Sequence, residues 1–252
     1  MISGFYPYFN KGRVLKKESV EYLRDFPHEL ASMEYDGFSS GVLYGFKVYL
    51  ADGNIHIGNG VLKHKGDIIL VNENTIAVEE YGQLLIIRLY VGRRLETEDY
   101  RISLTEVNID KRGIVGDNEI ELGRFSLNRG AELRIKYDSY GDLRTIENTL
   151  DLTHVAYAGL GAPTLHPVIM KEFGKAALES FNDKADIAFA LMCLNMPVVH
   201  KNVIQWYLAK RNNTEYKEYM LPVLYEKLYE LLPEYGLKNK HKRAAGRGPI
   251  ID

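Results

Sequence analysis

The histidines are the first candidates for chemistry in this chain, because imidazole binds metals and exchanges protons near neutral pH. His56 and His64 flank a turn and can face each other across a hairpin. They have no third ligand at a convincing zinc spacing, and His28 is not followed by the second histidine of a zinc-protease helix. Three more histidines have no carboxylate pattern to orient them, namely His154, His166 and His200. We therefore predict no metal site and no cofactor.

Nucleophiles and paired carboxylates give no stronger indication of catalysis than the histidines do. Cys193, the only cysteine, lies in the apolar run 188–194, which favours a buried thiol over a reactive one and excludes an intrachain disulfide. The acidic clusters at residues 79–80 and 96–99 are interpreted as solvated loop charge, although a hydrolase needs such pairs. Residues 159–161 lack the third glycine of a dinucleotide site, and no P-loop or serine-hydrolase elbow occurs. We predict that the protein has no catalytic residue and is not an enzyme.

The composition and charge of the chain indicate which classes of partner it binds. A formal charge of -2 over 252 residues argues against nucleic acid as the main partner. No apolar run is long enough to span a bilayer, and the first ten residues do not form a signal peptide, so we expect synthesis in a cytoplasm and no membrane insertion. Tyrosine is common, at 18 residues, and tyrosine is favoured at protein interfaces.

Residues 36–148 have the pattern of a compact antiparallel sheet. Short apolar runs are separated by glycine, asparagine and aspartate turns, and Asp52-Gly53 is a hairpin signal. Residues 84–91 are apolar on both faces except for Arg88, which predicts a central strand covered on both sides. Residues 100–105 alternate, which predicts one buried face and one wet face.

Near Asn148 the period changes from two to about 3.6, which predicts a small helical domain over residues 149–237. Its helices are expected over residues 163–180, 185–195, 199–210 and 215–232. Asp183 is the expected N-cap of the second. The predicted fold class is α+β, with an N-terminal β-sandwich or barrel-like antiparallel sheet followed by a small C-terminal helical bundle.

Two end segments remain, an N-terminal segment over residues 1–35 and a basic tail over residues 238–252. In the first, we expect a short helix over residues 16–25 that Pro27 ends. Residues 1–14, before this helix, form an aromatic arm that either packs on its own domain or inserts into a partner. The tail is open to three interpretations, which are a solvated tail, a clamp on an acidic patch of another subunit, and nucleic-acid contact. The predicted partner-binding residues are Phe5, Tyr6, Tyr8, Phe9, Lys240, Lys242, Arg243 and Arg247.

Three glycine-bounded segments carry a family resemblance: residues 41–48 (GVLYGFKV), 55–62 (IHIGNGVL) and 65–69 (KGDII). In this order they resemble the N-terminal β module of baseplate and tail-fibre-region structural proteins. Those proteins occur in tailed phages and phage-tail-like bacteriocins (tailocins), especially of Gram-positive hosts. The resemblance covers about a quarter of the chain and is a pattern of strands and glycines, without a catalytic signature.

The resemblance implies a structural building block that links a tail baseplate to its fibres. It further implies several copies in a symmetric assembly, other baseplate or tail-fibre proteins as partners, synthesis in a bacterial host cytoplasm and residence in a virion or tailocin particle. Two alternatives stay open. One is a receptor- or carbohydrate-binding module of the tail tip, which would stack sugars on Tyr44, Tyr49 or Tyr90. The other is a cell-wall hydrolase of unknown class.

Overall fold

The computed structural model of the chain describes residues 6–111, 113 and 115–233. Contacts divide the chain into two compact units, Met1–Gly37 and Phe38–Asp252. In the second unit antiparallel strands come first and helices last, so the predicted α+β class is confirmed. The predicted domain boundaries at residues 35/36, 148/149 and 237/238 stay predictions.

The first unit contains one helix, α1 (Lys17–Glu34), within its described residues. The predicted end of this helix at Pro27 is wrong, because Pro27 lies inside it. An interior proline removes one hydrogen bond and costs about 3 kcal/mol. The residues that follow, 29–33, are mostly strong helix formers, which favours continuation of the helix. The backbone N–H of Tyr35 closes the last turn on the carbonyl of Ala31 at 3.1 Å.

The described part of the second unit contains nine strands in three antiparallel sheets. The strands are β1 (Gly41–Gly45), β2 (Val48–Ala51), β3 (Asn54–Ile57), β4 (Gly60–His64), β5 (Asp67–Val71), β6 (Asn74–Ala77), β7 (Leu84–Glu96), β8 (Arg101–Asp110) and β9 (Glu119–Ser126). The sheet orders are β1-β4-β5, β2-β3-β6 and β8-β7-β9. The predicted glycine-punctuated segments therefore form β1, β3, β4 and β5.

Two tight turns set the register of the small sheets. Asp52 and Gly53 join β2 to β3 with φ of 50° and 75°, and Lys65 and Gly66 join β4 to β5 with φ of 49° and 93°. A two-residue hairpin favours the type I′ turn, whose twist matches that of the strands. This turn requires a positive φ at both central residues. The predicted hairpin at Asp52-Gly53 is confirmed.

Strand β7 is the centre of the third sheet, as its sequence predicts. Ile86, Ile87 and Leu89 have no exposed surface, because β8 and β9 flank the strand and other elements cover its faces. The pairing with β9 reaches only Tyr90. Val91 still donates its backbone N–H to the carbonyl of Asn118, just before β9, at 2.8 Å. Beyond Val91, β7 pairs with β8, through Arg94 opposite Ser103 and Glu96 opposite Arg101. We call residues 91–105 the β7–β8 ribbon.

Four helices follow in the described part of the second unit: α2 (Pro167–Ser180), α3 (Lys184–Asn195), α4 (Lys201–Arg211) and α5 (Leu221–Leu231). Prolines stand in the first turns of α2 and α5, where a missing N–H is harmless. The expected N-cap of α3 is confirmed, because the Asp183 carboxylate accepts a hydrogen bond from the N–H of Ala185 at 2.8 Å. Among the described residues, no helix has the length and apolar character that crossing a bilayer requires.

One hydrophobic core runs from the sheets into the helices. The ring of Tyr140, which follows the last strand, stacks on Tyr225 of α5 with 4.9 Å between centroids. The Tyr225 hydroxyl donates to the Tyr140 carbonyl at 2.7 Å. Phe173 of α2 packs edge-to-face on the same Tyr140 ring at 5.7 Å. These contacts fix the helices against the sheet half of the unit.

Candidate functional site

Helix α1 has an apolar side that is left uncovered. None of its 18 residues is buried. Five apolar side chains that are 44–72% exposed, here named the α1 stripe, are Val20, Leu23, Phe26, Leu30 and Met33. Four of them have the spacing i, i+3, i+7 and i+10, which places them on one face of the helix. This is the arrangement of a helix that lies in the groove of a partner.

The polar side of α1 is acidic. Two basic and five acidic side chains lie in the helix, which gives it a formal charge of -3. Lys17 pairs with Glu21 at 3.4 Å, and the guanidinium of Arg24 pairs with Asp25 at 2.6 Å. Both pairs are exposed, and exposed pairs contribute roughly 0–1 kcal/mol. A surface that covers the α1 stripe would therefore be apolar at its centre and neutral or basic at its rim.

The predicted aromatic arm is exposed wherever the structure describes it. Tyr6 and Tyr8 are brought together edge-to-face, with 5.5 Å between ring centroids, and both are largely exposed, as is Phe9. Phe5 lies outside the described residues. So do the four predicted basic residues of the tail, Lys240, Lys242, Arg243 and Arg247. The role of all these side chains in partner binding stays a prediction.

The β7–β8 ribbon is a second exposed apolar surface. The alternation predicted for residues 100–105 is seen in the exposures of residues 102–105, but neither face is buried and the apolar side chains lie on the more exposed side. Tyr100, Ile102 and Leu104 are exposed, while Ser103 and Thr105 lie on the less exposed face. Neither face is fully buried, because Ser103 and Thr105 also keep partial exposure.

The predicted histidine pair is not brought together in one sheet. His56 lies on β3 in sheet β2-β3-β6, stacked on Tyr49 at 5.1 Å, whereas His64 lies on β4 in sheet β1-β4-β5. His166 accepts a hydrogen bond from the N–H of Val168 and begins α2. Burial lowers the pKa of His166 to about 3. No group of three potential metal ligands occurs within residues 6–111, 113 and 115–233.

A cavity of about 230 Å³ brings histidine and carboxylate side chains together at the sheet surface. It is lined by His64, His154, Glu119 and Glu121, among others. Two of its three carboxylates form ion pairs, since Glu119 pairs with Arg88 at 3.1 Å and Glu121 pairs with Arg124 at 2.7 Å, and the third is that of Asp117. Desolvation and the nearby Arg124 charge lower the pKa of His154. The cavity is therefore built around charge neutralisation inside the sheet.

The remaining candidates for chemistry have structural settings. Cys193 is buried as predicted, and burial raises the pKa of its thiol to about 12, which makes a thiolate rare at neutral pH. Glu96 is exposed and binds Arg101 at 3.0 Å, while Glu80 binds Lys111 at 2.5 Å. Both clusters therefore hold ion-paired charge, although Glu96 lies at the end of β7 and not in the predicted loop.

Two parts of the candidate surfaces were missed by sequence reasoning. The stripe residues Leu30 and Met33 follow Pro27, where the helix was expected to have ended. Extending the helical periodicity through Pro27 would have found both residues, because the helical spacing of apolar residues continues unbroken from Leu23. The exposure of Ile102 and Leu104 had no such signal, because alternation identifies two faces without saying which one is covered.

Comparisons with known proteins give only weak structural likenesses. No family model and no curated protein matches the chain. A crystal structure of TssK is similar with a TM-score of 0.38 and 12% identity over 91% of this chain and 71% of that chain. A cryo-electron microscopy structure of the TssK-TssF-TssG baseplate subcomplex of the type VI secretion system gives a TM-score of 0.38 and 11% identity. It covers 92% of this chain and 100% of that chain.

Proposed function

We propose that this chain is a structural, non-enzymatic subunit of a phage or tailocin tail baseplate that joins baseplate to fibres. The observation that carries the proposal is the α1 stripe. Complete burial of an exposed Val, Leu, Phe or Met side chain contributes about 1.5–3 kcal/mol, and covering a half-exposed one contributes about half of that. Five such side chains on one exposed helix therefore favour association with a neighbouring protein.

The exposed aromatic arm supports the same proposal. Tyr6, Tyr8 and Phe9 precede α1 directly and add apolar surface to the same unit. Tyrosine and phenylalanine are enriched at interfaces because they cover much area with few rotatable bonds. The arm and α1 together form a segment that gains order and stability when a partner covers it.

The kind of assembly is proposed from the sequence pattern of residues 36–91. That stretch forms β1 to β6 and the start of β7, and the turns at Asp52-Gly53 and Lys65-Gly66 fall at its glycines. A TM-score of 0.38 is too low for the likeness to TssK to add weight. The sugar-binding alternative is not favoured, because Tyr44, Tyr49 and Tyr90 lie in three different sheets.

The proposal is tested by affinity purification of the tagged full chain from source cells after induction of prophage genes. Tail tube, sheath and baseplate proteins are expected in the eluate by mass spectrometry, with tail-shaped particles in electron micrographs. The double variant Leu23→Lys, Leu30→Lys is expected to lose these proteins, because two charges in the α1 stripe oppose its burial.

A matched control is the double variant Leu160→Lys, Leu191→Lys. Both of these leucines are 53% exposed and lie in the second unit, so they match the stripe leucines in type and exposure. This control is expected to retain the tail proteins. Purification of the wild-type chain alone, as a monomer with no tail protein, would overturn the proposed function.

A further inference from the structure

The charges of the first unit are separated along its length. Residues 6–17, here named the basic segment, hold four basic side chains and no acidic one, namely Lys11, Arg13, Lys16 and Lys17. Residues 25–36, here named the acidic segment, hold no lysine or arginine and four acidic side chains, namely Asp25, Glu29, Glu34 and Asp36. The 18 residues of α1 span about 27 Å, so the unit has a basic end and an acidic end.

Most of these charges lack a partner in the part of the chain that the structure describes. Lys17 pairs with Glu21, and Asp25 pairs with Arg24. The other six form no ion pair there. Glu34 lies in the last turn of α1, where the negative end of the helix dipole favours cations, and that turn has no basic residue. The acidic segment therefore lacks the cations that would stabilise it.

Both segments also carry exposed apolar side chains. Val14 and Leu15 of the basic segment are 92% and 58% exposed, so the helix of the same chain does not cover them. Leu30 and Met33 of the acidic segment are 54% and 72% exposed. Each segment therefore offers the apolar surface and the sign of charge that the other one lacks.

The side of α1 that carries the stripe also carries the unpaired charge. Glu34 lies four residues after Leu30, which places it on the stripe side. Glu21 and Asp25 each lie two residues from Leu23, about 200° around the helix, and so face away from the stripe. The same holds for Glu18, two residues before Val20. Cations that approach the stripe would therefore meet Glu34 and leave the other carboxylates outside the contact.

A second copy in antiparallel orientation satisfies both segments at once. In a twofold pair every contact occurs twice, so each basic segment lies near the acidic segment of the other copy. A parallel pair would place acidic segment against acidic segment, where like charges repel. Antiparallel helices also place the positive end of each dipole beside the negative end of the other. Charge complementarity therefore selects the antiparallel orientation.

We infer that two copies of this chain associate as an antiparallel twofold pair of their first units, in which the α1 stripes cover each other. The inference rests on the proposed function in one respect, since it takes the α1 stripe as a docking face. The contact consists of half-exposed side chains and screened charges, so it is weak in the dilute free chain. High effective concentration in an assembly favours it.

Analytical ultracentrifugation of the full chain over a concentration series tests the pairing. The wild-type chain is expected to change from monomer to dimer as its concentration rises. Two variants reverse the charge of one segment each, namely Lys11→Glu, Arg13→Glu and Glu29→Lys, Glu34→Lys. Each is expected to raise the Kd of the dimer by about tenfold or more, because repulsion replaces attraction in both halves of the pair.

The chain with all four substitutions tests the orientation. Its formal charge equals that of the wild-type chain, and its two segments have exchanged sign. In the antiparallel pair opposite charges meet again, so the Kd is expected to return close to the wild-type value. The control Lys47→Glu, Lys217→Glu changes the formal charge as much as the first variant, at two exposed lysines of the second unit. It is expected to leave the Kd unchanged.

Zero-length carbodiimide cross-linking tests direct contact. Unlabelled and isotope-labelled full chains are mixed, and the cross-linked peptides are identified by mass spectrometry. Cross-links from Lys11 or Lys16 to Glu29 or Glu34 are expected to join one unlabelled and one labelled peptide. A monomer at every concentration, oligomers larger than a dimer, no recovery with all four substitutions, or cross-links within one chain only would each overturn the inference.

The affinity purification separates this result from the proposed function. If tail proteins copurify with the wild-type chain while the chain stays monomeric in the ultracentrifuge, the subunit role stands and the antiparallel pair is wrong. If the chain dimerises with the expected charge dependence but recovers no tail protein, the pair stands and the baseplate role is wrong.

Discussion

Arg88 lies at the middle of β7 with no exposed surface, in a strand that is otherwise apolar there. Its guanidinium binds Asp110 of β8 at 2.9 Å and Glu119 of β9 at 3.1 Å. These are the two strands that flank β7 in the sheet. A buried charge is tolerated only when it is paired and hydrogen-bonded. Arg88 therefore ties β8 and β9 to the central strand.

Replacing Arg88 tests this role. Arg88→Ala is expected to lower the free energy of unfolding by about 3–5 kcal/mol, because it leaves two partly buried carboxylates without their partner. The control is Arg101→Ala, which removes an exposed pair with Glu96. This variant is expected to change the free energy of unfolding by less than about 1 kcal/mol. Urea denaturation measures both values. Equal effects of the two variants would contradict a structural role for Arg88.

His166 makes stability dependent on pH. Its ring contacts Tyr157 edge-to-face at 4.7 Å, and burial lowers its pKa to about 3. The unfolded imidazole takes up a proton near pH 6.5 and the folded one does not, so the unfolded state binds more protons below that value. The free energy of unfolding therefore falls as the pH falls from about 6.5 toward 3, by up to about 2 kcal/mol at pH 5.

His166→Asn separates this titration from others. Asparagine keeps a side-chain oxygen for the cap of α2 but does not titrate. The variant is expected to lose less stability than the wild type between pH 6.5 and 5, measured by urea denaturation at each pH. Parallel curves for the two proteins would show that another group controls the acid response.

At the scale of the element, Gly174 explains a break in the sequence pattern of α2. Glycine costs about 0.5–1 kcal/mol relative to alanine in a helix interior. Here a Cβ would lie 2.8 Å from the carbonyl oxygen of Ala190 and 3.1 Å from Leu194, both on α3. The absence of a side chain lets α2 and α3 approach closely, which offsets the lower helix propensity.

Gly174→Ala is therefore expected to destabilise the protein, by roughly 1–3 kcal/mol, against the direction that helix propensity gives. The control is Gly58→Ala, where the nearest atom would be an ordinary 3.7 Å away and only a small change is expected. Thermal unfolding compares them. Stabilisation by Gly174→Ala would mean that the two helices separate at little cost.

Helix α1 is the element whose stability depends most on other proteins. Most helical stability in proteins comes from packing, and this helix buries none of its residues and contains Pro27. In the free chain its amides are expected to exchange with deuterium faster than those of α2 to α5. In particles recovered from source cells they are expected to be protected, as hydrogen exchange with mass spectrometry will show. Strong protection in the free chain would argue against an open binding segment.

At the scale of the whole molecule, the shared core predicts cooperative unfolding of the second unit. The Tyr140–Tyr225 stack and hydrogen bond join residues 85 positions apart, across the predicted boundary at 148/149. Trp206, the only tryptophan, reports on the helical part, and far-UV circular dichroism reports on strands and helices together. The two urea transitions are expected to coincide. Separate transitions would instead support two independent domains.

The sequence by itself determined the local features of this protein. Positive-φ turns need glycine or asparagine-like residues, so Asp52-Gly53 was readable as a hairpin. A strand that is apolar on both faces must be covered on both, so the central position of β7 was readable as well. Residue types and spacing alone also gave the resemblance to tail proteins, and they contained no recognisable catalytic motif.

Only the tertiary structure decided which surfaces stay open. Ile102 and Leu104 are exposed although they alternate with polar residues as a buried face would. The continuation of α1 past Pro27 depends on a balance between one lost hydrogen bond and several favourable residues, which a proline rule does not weigh. Burial is a property of contacts between distant segments, and a sequence pattern specifies the faces of an element without specifying what covers them.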